Sequence, residues 1–93
     1  MRPEKPCVKL EDWAVVPAPN TAEYQELRPG NLLVGRAFGH QLIKTGMFIF
    51  TSPIVRVDAE KGIAETKNTA YLLGQASREY QQWSRQQGAE AAA

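Results

Sequence analysis

The chain carries one cysteine, one histidine and no long apolar run, and each scarcity closes off a class of function. Cys7 has no second thiol to pair with inside the chain, which suits a reducing compartment. A lone His40, with neither histidine nor cysteine near it, cannot complete a metal site. The longest apolar stretch falls far short of the roughly 20 residues that a membrane-spanning helix needs. Charge of one sign is lacking too: eleven Lys and Arg against ten Asp and Glu leave a net +1, so no global field draws the chain to nucleic acid or anionic lipid. Met1-Arg2-Pro3-Glu4-Lys5-Pro6 is charged and proline-rich, unlike a signal peptide, and a cytoplasmic setting is expected.

Catalytic motifs are equally sparse. Thr51 and Ser52 sit in no Gly-x-Ser-x-Gly elbow, Asp58, Glu60 and Glu65 lack the spacing of a calcium loop, and no glycine-rich phosphate cradle is present. The expectation is a protein that is not an enzyme and uses no cofactor.

What the sequence does contain is enough for one folded domain. Apolar residues make up 43% and charged residues 23% of the 93, a globular balance. A chain this short buries only about two-thirds of its unfolded surface, so its stability is small or shared with a partner. The expected layout is a flexible arm over 1–7, a single domain over 8–87 and a disordered tail over 88–93.

The predicted fold class is α+β. "VKLEDWAVV" (8–16) alternates poorly and is read as a short extended segment closed by Pro17-Ala18-Pro19. Asn20 followed by Glu23 has capping-box spacing, which predicts a short helix over Thr21 to Leu27, ended by the Arg28-Pro29-Gly30-Asn31 turn. From 32 to 74 the pattern predicts a small bent antiparallel sheet of four or five strands. In "LLVGRAFGH" the face carrying Leu33, Gly35, Ala37 and Gly39 is made of small residues, so another element can approach closely there. "MFIF" (47–50) is apolar on both faces, which predicts a strand covered on both sides and bent at Pro53, with Thr51 and Ser52 satisfying the groups the bend leaves unpaired. Ala76, Tyr80 and Trp83 form one stripe on a C-terminal amphipathic helix over 75–87, ended by Gly88; a start near Asn68 is the alternative.

Two kinds of partner follow from these residues. Tyr80 and Trp83 are large enough to anchor a protein interface, with the surface around Arg36, His40 and Arg56 beside them. An exposed strand edge also allows a homodimer. The competing reading is a nucleic-acid-binding module in which Arg36, Lys44, Arg56, Lys61 and Lys67 converge with Tyr71 or Phe38.

Gly39-His40, Gly46, Ile49, Thr51-Ser52, Ile54, Asp58, Thr66, Asn68-Thr69, Tyr71 and Leu73-Gly74 make a pattern that resembles short phage and proteobacterial mobile-element proteins of the DUF6957 type. It covers roughly residues 32 to 74. The resemblance implies a small accessory or inhibitor protein acting on a bacterial host or defence component, built on a strongly bent sheet or SH3-like barrel. It carries no catalytic residue over.

Overall fold

Strand β1 (Cys7–Val16) is followed by β2 (Leu32–Phe38), β3 (Met47–Pro53), β4 (Arg56–Asp58), β5 (Ile63–Glu65), β6 (Ala70–Leu73) and helix α1 (Arg78–Ala92). The computed structural model describes residues 5–18, 23–40 and 43–92. Among them six strands form one mixed sheet in the order β3-β2-β1-β6-β5-β4. All neighbours are antiparallel except β1 and β6, which run parallel with Cys7 opposite Ala70 and Leu10 opposite Leu73.

The sheet is therefore larger than expected, because 8–16 is its central strand and not a preliminary segment. Val8, Leu10 and Val15 point to the inner face, with Leu33 and Ala37 of β2, Ala64 of β5 and Tyr71 of β6, and all are buried. The poor alternation of β1 has a local cause. Its register slips between Glu11 and Ala14, and Asp12 takes a left-handed φ of 51°. This bulge inserts one residue, so the inward parity changes from Val8 and Leu10 to Val15. The small face of β2 makes room for it: a Cβ on Gly35 would lie 2.9 Å from the Glu11 carbonyl oxygen and 3.0 Å from the Trp13 Cα.

β3 and β4 stand at opposite edges of the sheet, yet only Ile54 and Val55 separate them. The sheet must curl for so short a link to join its two edges. Ile54 N–H donates to Asn31 O at 2.8 Å, Gly30 N–H to Ile54 O at 2.7 Å, and Val55 N–H to Glu65 O at 2.8 Å. One bent stretch thus serves β2 with its first half and β5 with its second, and the Ile54 side chain, 1% exposed, plugs the interior. Regular pairing breaks at Ile54 and Val55, so the sheet does not close into a barrel.

Several expectations are corrected. Residues 23–27 are not helical: Gln25 N–H donates to Val15 O at 2.8 Å, and Tyr24 and Leu27 pack on the core, so the segment is docked along β1. Asn20, Thr21 and Ala22 lie outside the described residues. The arm is anchored at its end, since Lys5 Nζ reaches Glu65 at 3.3 Å and Thr66 O at 2.8 Å, and Cys7 already belongs to β1. β3 is not covered on both sides; as an edge strand it leaves Met47 54%, Phe48 54% and Phe50 57% exposed.

The C-terminal helix starts after Gly74, where Ser77 caps it by accepting from Tyr80 N–H at 3.2 Å. It continues through Gly88 to Ala92. Of the expected Ala76-Tyr80-Trp83 stripe, Tyr80 and Trp83 pack inward from the helix, whereas Ala76 precedes the helix and packs inward from a bridge to Trp13. Tyr80 meets Trp13 and Tyr24 at ring-centroid distances of 5.4 Å and stacks on Trp83 at 5.4 Å. That cluster clamps the helix onto the bulge of β1 and the 23–27 segment.

Candidate functional site

The expected site residues do not come together. Arg36 lies on the outer face of β2, its Nε 3.4 Å from Asp12 Oδ2, whereas Arg56 lies on β4, its Nε 3.7 Å from Glu65 Oε2. Each guanidinium faces a carboxylate on a different strand of the sheet, and Glu65 is shared with Lys5. His40 is half-buried just beyond β2. Tyr80 is only 6% exposed, with its hydroxyl donating to Gln25 O at 2.6 Å, and Trp83 is half-buried against Tyr24 and Tyr80. The two aromatic residues chosen as anchors pack the fold.

A different surface emerges from the strand alternation. Ala14 pairs with Val34, and Val34 with Phe50, so one apolar row crosses the outer face from β1 to the edge. Arg36 pairs with Phe48 one step along. Phe48 and Phe50, two residues apart on one face, hold their rings 5.8 Å apart at 79°, edge to face. With Val16 and Tyr24 they line a groove of about 320 Å³, and Asp12, Ser77 and Glu79 stand at its rim. Ala14, Val16 and Val34 are buried there, whereas both phenylalanines remain more than half exposed.

"MFIF" hid this surface because an uncharged apolar strand is ordinarily interior. Its position at an edge follows from the strand order, which depends on the parallel pairing of β1 with β6. No short-range signal encodes that pairing. The absence of any charge between Met47 and Pro53 was the available clue.

Perturbed titrations mark the scaffold. Gln75 N–H, donating to Glu11 Oε1 at 2.7 Å, and the Lys9 ammonium beside it hold the Glu11 carboxyl below the usual carboxylate range. Burial raises the Tyr71 phenol, and burial with the nearby Glu26 carboxylate pushes Tyr80 up to about 12. Glu11 ties β1 to the junction of β6 and α1, where Trp13 Nε1 donates to Gly74 O at 3.0 Å and Ser77 N–H to Trp13 O at 2.8 Å. Among the described residues no group of three His, Cys, Asp or Glu is placed to hold a metal ion, and no helix is long and apolar enough to cross a membrane.

A second hollow, about 550 Å³, lies between Trp83 and the turn at Arg28. Its lining is polar and its charges are engaged locally, Arg28 with Glu26. No protein-family profile, curated protein or solved structure matches the chain.

Proposed function

We propose that the chain is a non-enzymatic protein-binding module whose contact surface is the outer face of β3 with the groove beside it. One observation carries the reading: Phe48 and Phe50 hold an edge-to-face pair on an edge strand, over half of each ring in solvent, above an apolar floor. Scattered exposed apolar residues need no explanation, but a contiguous aromatic patch on an open edge does. The two rings present roughly 200 Å² to water, about 5 kcal/mol of gross burial at ~25 cal/mol/Å² before the costs of association.

The finer reading is a cytoplasmic accessory or inhibitor protein of phage or mobile-element origin, modulating a bacterial host or defence component. Its support is the pattern from Gly39-His40 to Leu73-Gly74. An SH3-like relationship of the sheet is supported by the bent 47–58 stretch that serves both edges. Nucleic-acid binding is the weaker reading, because Arg36 and Arg56 are paired to carboxylates on different strands.

The test is affinity capture from a bacterial lysate with the wild type and with Phe48→Ala/Phe50→Ala, after nuclease treatment. The expected result is a bound protein that survives about 0.5 M salt, well beyond the range in which phosphate contacts are lost, and that disappears in the double variant. Retention of nucleic acid that falls steeply with salt and with Arg36→Ala would replace this reading by the other.

A further inference from the structure

The two edges of the sheet are built differently. β4 has three residues and carries Arg56 and Asp58, the short, charged form that resists pairing with another chain. β3 has seven residues, no charge, and its only proline at its last position. One edge is guarded and the other is left open.

We infer that the open edge is occupied by a second copy of this chain, with Met47 to Thr51 of the two copies pairing antiparallel about a two-fold axis at Ile49. The inference rests on reading this face as a protein-binding surface and names its occupant. A partner edge must complement a strand that offers no charge of either sign to recognise, so it must itself be uncharged and apolar. This strand meets that description. The register centred on Ile49 sets Phe48 of each copy opposite Phe50 of the other, at the roughly 5 Å spacing of cross-strand neighbours. It joins the two edge-to-face pairs into a four-ring cluster, sets Met47 opposite Thr51, and leaves Pro53 outside the new ladder, where its missing N–H costs nothing. Of the charges beside the rings, Arg36 and Asp12 are already paired with each other, and Glu79 stands at the rim of the groove on the helix side.

The area sets the strength. Four half-exposed rings supply roughly 400 Å² and the flanking residues bring the total toward the lower end of specific interfaces, about 1,200 Å². The dimer is therefore weak and dependent on concentration.

The experiment is sedimentation equilibrium of the full chain over roughly 5 to 500 μM, the range in which so small an interface populates both states. The mass should rise from 10.3 kDa toward twice that value. Phe48→Lys and Met47→Lys, both at exposed positions, should each hold the protein at the monomer mass throughout, with a circular-dichroism melt like that of the wild type. In a Cys7→Ser background, Ile49→Cys should form a disulfide-linked dimer under mild oxidation and Lys61→Cys should not. A wild type that stays monomeric, or a dimer indifferent to both lysine variants, overturns the inference. If that monomer still captures a bacterial protein through Phe48 and Phe50, only the choice of occupant has failed. If capture is also indifferent to those residues, the protein-binding reading fails with it.

Discussion

The backbone N–H of Leu33 donates to the side-chain Oγ1 of Thr51 at 3.0 Å, so a hydroxyl completes the β2–β3 ladder where its register slips. The same hydroxyl donates to Ser52 O at 2.8 Å. Pairing passes from Val34↔Phe50 to Leu32↔Pro53, a bulge that turns the strand toward Ile54 and the far edge of the sheet.

Thr51 is buried, so removing its oxygen leaves the Leu33 amide without a partner. Thr51→Val keeps the shape and loses the acceptor; it should cost about 1 to 3 kcal/mol, as should Thr51→Ala. Thr51→Ser keeps the acceptor and should cost less than half as much. Ser52 faces solvent, so Ser52→Ala should stay within about 0.5 kcal/mol. Urea midpoints at constant m-value separate these cases. A larger cost for Thr51→Ser than for Thr51→Val would show that the methyl group matters there and the bond does not.

Two glycines are needed for space. At Gly35 the backbone of the β1 bulge occupies the place of a Cβ, so Gly35→Ala must shift the bulge at a cost of about 2 to 3 kcal/mol. At Gly74 the obstacle is the Glu11 carboxylate, which can swing away but then gives up its bond from Gln75 N–H. Gly74→Ala should therefore cost about 1 to 2 kcal/mol in the wild type and within about 0.5 kcal/mol in a Glu11→Ala background. A double-mutant cycle with no coupling would separate Glu11 from the junction.

Burial and the Glu26 carboxylate disfavour the ionised form of Tyr80, raising its titration from 10.0 to about 12. Between those values the unfolded chain releases a proton that the folded chain keeps. The stabilisation is thus complete below about pH 10 and is lost as pH rises toward 12, at up to about 1.4 kcal/mol per pH unit. Urea midpoints at about pH 9 and pH 11 should fall further for the wild type than for Tyr80→Phe. Some slope remains in the variant because Tyr71 is raised as well. Identical slopes in the two proteins would place the Tyr80 phenol in water.

The legible parts of the fold were those specified within a few residues. Pro53 announced the bend and Thr51 its partner, because a missing donor and a nearby hydroxyl are local facts. The inward packing of Tyr80 and Trp83 followed from the helical period, though Ala76 lies ahead of the helix, and the small face of β2 followed from its composition. The rest depended on distant pairings. Asp12 and Trp13 shift the alternation of β1 by one residue, which disguised the central strand. Asn20 and Glu23 have the spacing of a helix start, but a two-turn helix is marginal, and docking of Gln25 on Val15 O takes precedence at residues 23–27. The exposure of Phe48 and Phe50 follows from strand order, which joins Cys7 to Ala70 across most of the chain.

That inversion predicts opposite behaviour for two aromatic residues. Trp83 was the expected anchor for a partner, yet it is half-buried against Tyr24 and Tyr80 in the cluster that holds α1 to β1. Trp83→Ala should cost about 2 kcal/mol and lower the melting temperature by roughly 10 °C while leaving the association of surviving folded protein unchanged. Phe50 covers Val34 with one side and meets solvent with the other, so Phe50→Ala should cost less than about 1 kcal/mol and abolish association. Measuring both variants by thermal denaturation and by sedimentation at one concentration separates the roles. Loss of association in Trp83→Ala at an unchanged melting temperature would move the interface from the edge of the sheet to the helix.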